Sequence, residues 1–371
     1  MPRRSRLALP CALAALALAV PASASAQSGG SVQPRVIGGS TASISTYPWQ
    51  AAVVFSPSKV GNNNAHRRQF CAGSLITSRI VITAGHCVFD TDPDCSLTGG
   101  VNVCLPSDPG GDGTKRLDPN DVDVVLGRTT LSDTTQGQEF TVQAVKLGTS
   151  FDGNYQGDGV PRFDAAYLVL SAPAALTPIK IAGADEGALW ADGSPEDISG
   201  WGSTTESGGT VDSLRSATVN IVPDATCNAA YTPDFDPATM VCAGVSGGGV
   251  DTCAGDSGGP LEAPLQGGGY RLVGLTGWGE GCARADFPGV YTRVAGATMR
   301  PIISSDVTSL ESAQGLAPEN IFGSGGQPRV ATPSGSEPAL APVLRKCKRI
   351  HDKKKRRRCV KRAKARASSL T

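Results

Sequence analysis

The chain has 371 residues, enough for one large domain or two small ones with a real core. Its 46 glycines, 26 prolines and 5% aromatic content exclude a helical bundle and suit a loop-rich β protein. The net charge of +1 conceals an asymmetry: residues 345–366 hold 14 Lys or Arg against one acid, whereas the body between residue 26 and this tail carries 17 bases against 32 acids.

Residues 1–26 have the form of a secretory signal, with Arg3, Arg4 and Arg6, an apolar stretch from Leu7 to Val20, and the small-residue site Ala24-Ser25-Ala26. The apolar run is too short for a membrane helix, and no later stretch is long enough. Cys11 falls within the signal. Ten cysteines remain, an even number in an exported chain, which favours disulfides over thiols. No CxxC pair is present, so a metal site has no support, and no cofactor motif stands out. Residues 27–35 are polar and short. Arg35 before Val36-Ile37-Gly38-Gly39 forms a processing site.

Short apolar runs separated by turn signals then predict strands at 49–55, 73–76, 80–83, 123–126, 140–145, 165–170, 217–222, 270–276 and 289–294. Many short strands at this spacing indicate an all-β sandwich or barrel. Residues 88–121 form a long polar insertion that a Cys95–Cys104 disulfide would tie down. Helical periodicity emerges only at 294–304, as one closing helix. Residues 306–342, rich in Ser, Gly, Pro and Ala, read as a flexible linker to the basic tail at 343–371.

Three positions carry chemistry. Ser257 lies in Gly255-Asp256-Ser257-Gly258-Gly259-Pro260, where glycines allow unusual backbone angles and close approach of a ligand. A serine hydroxyl needs a base, and histidine has the suitable pKa. Of the three histidines, His66 is in a polar segment and His351 in the tail; His86 ends an apolar strand next to Cys87. Asp164 directly precedes an apolar strand, where a buried carboxylate needs a partner.

Together with Val-Ile-Gly-Gly (36–39), Thr-Ala-Gly-His-Cys (83–87), Asp-Ala-Ala-Tyr (164–167), Ser-Gly-Trp-Gly (199–202) and Pro-Gly-Val-Tyr (288–291), these residues resemble the chymotrypsin-like (trypsin) family of serine proteases over residues 36–304. The resemblance implies two packed six-stranded antiparallel β-barrels with a C-terminal helix, the protease domain covering 36–305. It implies Ser257 as nucleophile, His86 as base then acid, Asp164 as its orienting carboxylate, and the N–H groups of Gly255 and Ser257 as oxyanion hole. It makes 27–35 an activation peptide: cleavage after Arg35 would free the Val36 amine to pair with Asp256. It makes Asp251 the floor of a pocket for Arg or Lys, with Gly279 and Gly289 as walls and Trp278 as one face. It pairs Cys71–Cys87, Cys227–Cys242 and Cys253–Cys282.

Three positions depart from the family pattern. Gly277 stands where a serine helps hold the triad aspartate, Arg128 follows Leu126-Gly127 where a calcium loop begins with an acid, and Gly85 replaces an alanine, which reads as a small change. The tail lies outside the resemblance. Cys347 and Cys359 would close a hairpin there, and its charge suits an anionic envelope polymer, membrane headgroups or non-specific nucleic acid; without interleaved aromatics, base stacking has no support. A free tail trimmed by proteolysis is the other reading. The function expected is a secreted endopeptidase, against the alternative of an inactive protease-fold binding protein held at the cell surface by its tail.

Overall fold

Two closed six-stranded antiparallel barrels organise the chain in a computed structural model, which describes residues 36–89, the backbone of 96–98 and 101–103, and residues 116–151 and 160–329. The first barrel consists of β1 (Gln50–Phe55), β2 (Gln69–Leu75), β3 (Ile80–Thr83), β4 (Val122–Leu126), β5 (Gln138–Leu147) and β6 (Ala166–Leu170), in the ring order β1-β2-β3-β6-β5-β4. The second consists of β7 (Pro195–Gly200), β8 (Arg215–Val222), β9 (Met240–Gly244), β10 (Pro260–Pro264), β11 (Tyr270–Trp278) and β12 (Gly289–Thr292). Its order is β8-β7-β10-β11-β12-β9, closed by pairing of β9 with β8.

The sequence explains the layering. β1, β3, β4 and β6 are buried at every position and mostly apolar, broken by Gln50 in β1 and Asp123 in β4, with one face in the barrel and the other under neighbouring elements. β5 alternates, with Phe140, Val142 and Val145 inward and Gln138, Thr141 and Gln143 outward, so its outer face meets water. Three of the twelve barrel strands fall outside the predicted set: β7, β9 and β10. β7 and β10 contain Pro, Glu or both, which lower strand propensity; β9 is a short MVCAG run whose pattern fits either a buried strand or a turn of helix.

Disulfides Cys71–Cys87, Cys227–Cys242 and Cys253–Cys282 are present as the resemblance implied. Cys95–Cys104 and Cys347–Cys359 lie outside the described residues, as do the signal, residues 27–35 and the basic tail. The insertion at 88–121 is closed at its base: Phe89 and Arg116 form a β-bridge and the Leu117 N–H donates to the Val88 carbonyl at 2.8 Å. Within it, Ser96–Thr98 pairs with Val101–Val103. Among the described residues no helix is long and apolar enough to cross a membrane.

The linker boundary is corrected by the structure. The closing helix spans Met299–Ala313, and its Asp306 is buried, not the first residue of a linker. Asp306 accepts hydrogen bonds from the Thr149 N–H at 3.0 Å and the Tyr167 hydroxyl at 3.2 Å and pairs with Lys146 at 3.0 Å, which fastens the helix to the first barrel. Residues 314–329 then run back over the domain as a strap. Glu319 accepts from the Ser78 N–H and hydroxyl in the first barrel. Ile321 is buried, and its carbonyl accepts from the Ile181 N–H at 2.9 Å, while the Gly323 N–H donates to the Ile181 carbonyl at 2.8 Å. The Gln266 N–H donates to the Gln327 carbonyl at 2.9 Å and the Arg329 N–H to the Pro264 carbonyl at 3.1 Å, both in the second barrel. Composition misleads here because a strap without regular structure uses the same residues as a free linker; its backbone groups are satisfied by neighbours instead of water.

The strap therefore belongs to the folded domain. Ending the chain after Arg329 should leave the melting temperature within about 2 °C of the full chain, whereas ending it after Ala313 should lower it by several degrees, as loss of roughly 1–2 kcal/mol does in a domain of this size. Equal melting temperatures for the two truncations would contradict this.

Candidate active site

The site forms where loops of the two barrels meet. β3 ends at Thr83, and the chain makes a single 3₁₀ turn at Gly85–Cys87, anchored by the disulfide from Cys87 to β2. The Thr83 hydroxyl donates to the Ala72 carbonyl at 2.7 Å and fixes the strand end. His86 projects from this turn. Asp164 lies two residues before the first residue of β6 and is buried. Its carboxylate takes two hydrogen bonds from His86: Oδ1 from the backbone N–H at 2.8 Å, and Oδ2 from Nδ1 at 2.7 Å. Desolvation alone would push the His86 pKa down; the charge and hydrogen bond of Asp164 outweigh it, and the pKa is raised. The second barrel steadies the aspartate, since the Thr292 hydroxyl on β12 donates to the Asp164 carbonyl at 2.8 Å.

Ser257 sits on the loop before β10. Its carbonyl accepts from the Ala72 N–H at 2.8 Å, and the next residue, Gly258, donates to the Thr276 carbonyl on β11 at 2.8 Å. Gly258 has φ +76°, and a Cβ there would lie 2.1 Å from the Thr83 hydroxyl and 2.7 Å from the Ala84 nitrogen. Only glycine lets the serine loop press this closely on the histidine loop. His86, Asp164 and Ser257 are thus brought to one junction.

The turn ahead of the serine is also fixed. The Asp256 N–H donates to the Cys253 carbonyl at 2.9 Å, and Gly255 has φ +94°, the pattern of a type II turn. The Ala254 carbonyl accepts from the Ser203 N–H at 2.8 Å, so the N–H of Gly255 on the same peptide points the opposite way. Gln69, buried at the start of β2, donates from Nε2 to the Gly255 carbonyl at 2.6 Å. Sequence reasoning missed Gln69 and Ser203: each acts through a contact distant in the chain, and neither lies in a recognisable motif.

Asp251 is buried, with Oδ1 accepting from the Thr252 N–H at 2.9 Å and Oδ2 from the Ala283 N–H at 2.9 Å. Burial pushes its carboxyl up to about 6, against the lowering effect of these bonds. A Cβ on Gly289 would lie 2.6 Å from Asp251 Oδ1, and one on Gly279 would lie 4.0 Å from the Gly289 Cα. The two glycines therefore face each other in front of the carboxylate, and any side chain at 289 would fill the space. Trp278 stands beside them, its ring 4.8 Å from that of Tyr231 in an edge-on contact.

Asp256 is completely buried, with Oδ1 accepting from the Gly202 N–H at 2.7 Å and Oδ2 from the Cys253 N–H at 3.1 Å. Burial is the main cause that raises its carboxyl to about 7. Val36 is also fully buried, with φ +23°, an angle strained for a β-branched residue. Its neighbour Ile37 bridges Asp251, whose N–H donates to the Ile37 carbonyl at 3.2 Å. Arg35 lies outside the described residues.

The departures also have places. Gly277 lies with its prospective Cβ 3.9 Å from Asp164 Oδ2, so a side chain there would reach the carboxylate that His86 uses. The Arg128 guanidinium is buried within its loop and donates to the carbonyls of Gln136 and Leu131, each at 3.0 Å. A fixed positive charge therefore occupies the loop in which the resemblance expects a calcium ion.

Paired barrels with histidine, aspartate and serine at their junction define a chymotrypsin-like serine protease. The family model for Trypsin matches residues 36–303. The chain is 37% identical over 259 residues to a trypsin from Saccharopolyspora erythraea, covering 70% of this chain and 93% of that protein. It is 33% identical over 270 residues to Trypsin-1 of Astacus astacus, covering 70% and 95%, and 32% identical over 273 residues to the proclotting enzyme of Tachypleus tridentatus, covering 70% and 63%. The chain belongs to the trypsin family and is a serine protease.

The Asp256 carboxyl gives the uncut chain a pH dependence of defined sign. Its folded pKa near 7 exceeds the unfolded value of about 3.9, so the folded state keeps a proton that the unfolded chain has lost. Its contribution is most favourable below about pH 4 and is lost as pH rises through about 7. In thermal melts of the uncut chain, Asp256→Asn should flatten the fall in stability between pH 5 and 8; an unchanged slope would refute the assignment.

Proposed function

We propose that this protease is a secreted endopeptidase that cleaves after Arg or Lys, with Ser257, His86 and Asp164 as its triad. The observation that carries the reading is the 2.7 Å bond from His86 Nδ1 to Asp164 Oδ2, beside the tightly packed Ser257 loop. With Nδ1–H held by the aspartate, Nε2 is the nitrogen that acts as base. The Ser257 Oγ–H proton passes to Nε2 as Oγ bonds to the scissile carbonyl carbon. The carbonyl oxygen becomes an oxyanion facing the N–H groups of Gly255 and Ser257. The imidazolium then gives its proton to the amine as the C–N bond breaks, leaving an acyl-enzyme. Water deprotonated by His86 attacks the acyl carbon, and Ser257 leaves with its proton restored.

Specificity rests on Asp251. A buried carboxylate behind two facing glycines suits a long basic side chain, whose charge would offset the desolvation of the acid. Two of the relatives are themselves named trypsins. Activation rests on Val36 and Asp256: cutting after Arg35 would relieve the strained φ at Val36 and create an ammonium for the buried carboxylate. A basic residue at the cut makes self-activation consistent with the proposed specificity. The tail, with its net positive charge, suits attachment to an anionic envelope polymer.

A serine-directed phosphonate applied to protein cleaved after Arg35 should label Ser257, and a peptide panel should be cut after Arg and Lys. Absence of labelling would favour a binding protein without catalysis. Asp251→Ser should lower kcat/KM for Arg and Lys substrates by about 10²-fold or more, as loss of a buried charge pair does; retained preference would overturn the role of Asp251. Arg35→Gln should leave the secreted chain uncut and inactive, and full activity in that variant would end the precursor reading.

A further inference from the structure

Gly85, which the sequence presents as a minor departure, faces Phe151 in the structure. Its φ lies outside the left-handed region, so the backbone angle does not require glycine. Space does. A Cβ at residue 85 would lie 2.6 and 2.7 Å from two ring carbons of Phe151 and 3.0 Å from a third, closer than side chains pack. The ring thus rests on the backbone of the residue before His86. It is held there from two sides. Its own N–H donates to the Gly148 carbonyl at 3.0 Å, and the Gly148 N–H donates to the carbonyl of Ala165, next to Asp164, at 2.9 Å. The second support is Phe89, whose ring meets that of Phe151 edge-on at 5.2 Å. Phe89 in turn is bridged to Arg116.

We infer that Phe151 is a positioning residue for His86, replacing from the aspartate's side the contact that a methyl group on residue 85 would make within the turn. Glycine in a regular turn leaves the chain freer than alanine does. An aromatic ring laid across it restores the restraint and ties the turn bearing the base to the segment bearing the acid. The contact that Phe151 makes is with Gly85, next to His86, so its effect passes through the placement of the imidazole. The inference rests on the triad reading above.

The test is a two-residue cycle in Arg35-cleaved enzyme, with rates normalised to active sites titrated by the phosphonate. Gly85→Ala and Phe151→Ala should each lower kcat roughly 10-fold with KM held within about twofold, inside the ~10²-fold range that misplacement of a catalytic group can cost. The double variant should recover to within about threefold of the parent, because the added methyl then fills the space the ring vacates. Phe151→Leu, which keeps much of the volume, should fall between. Single variants that keep the parent kcat per titrated site while only melting earlier would overturn the inference, as would two losses that simply add in the double variant. A parent enzyme that takes no label at Ser257 would instead sink the triad reading, so the two failures are distinguishable.

Discussion

A carboxylate placed where no water reaches governs this site. Asp256 lies with its Oδ1 within 2.1 Å of where a Cβ on Gly200 would be and 2.6 Å from that position on Gly202, so the strand-end segment from Gly200 to Gly202 has glycines on both sides of Trp201. Isolated, such a charge would carry a desolvation cost of several kcal/mol. Two backbone N–H groups, from Gly202 and Cys253, offset part of it. They do so by shaping the chain: the Cys253 bond belongs to the turn that holds Gly255, and Ser257 follows immediately. This fully buried acid is therefore the one that sets the backbone next to Ser257. Its neighbour in the same segment, Asp251, is bridged to Ile37, so the first residues of the described chain and this second buried acid share a hydrogen bond.

The site is also a contact between barrels, and neither supplies it alone. His86 and Asp164 come from the first barrel, Ser257 from the second. Cross-bonds hold the register: Ala72 to Ser257, Thr292 to Asp164 and Gln69 to Gly255. Each joins a residue of one barrel to the backbone of a functional residue supplied by the other. Rigid strands on both sides mean that the geometry is set by packing, with the loops bearing only the side chains.

Much of this was legible in the sequence, for physical reasons that can be named. The buried strands Ile80–Thr83 and Ala166–Leu170 are unbroken apolar runs, and the functional residues beside them sit in short motifs whose glycines answer local demands, as Gly258 does against Ala84. What escaped is non-local or runs against propensity. β7 carries Glu196, an acid inside the second barrel whose oxygens find no partner among the described side chains and backbone, and whose carboxyl burial pushes well up. No pattern of polar and apolar residues would place it in a core strand. Gln69 works across nearly two hundred residues of sequence, and the meaning of Gly85 lies in a ring 66 positions away. The strap at 314–329 escaped because composition records what a chain is made of, not what it lies against.

That strap also gives the domain a polarity. Its last described bond joins Arg329 to Pro264, at the end of β10 remote from Ser257, while the same strand begins at Pro260, three residues past the serine. The serine loop and the last described bond of the strap therefore lie at opposite ends of one strand. Strand β10 is thereby pinned at both tips, by the Ser257 loop at one and by the strap at the other, so the strap braces the second barrel from the side away from the serine.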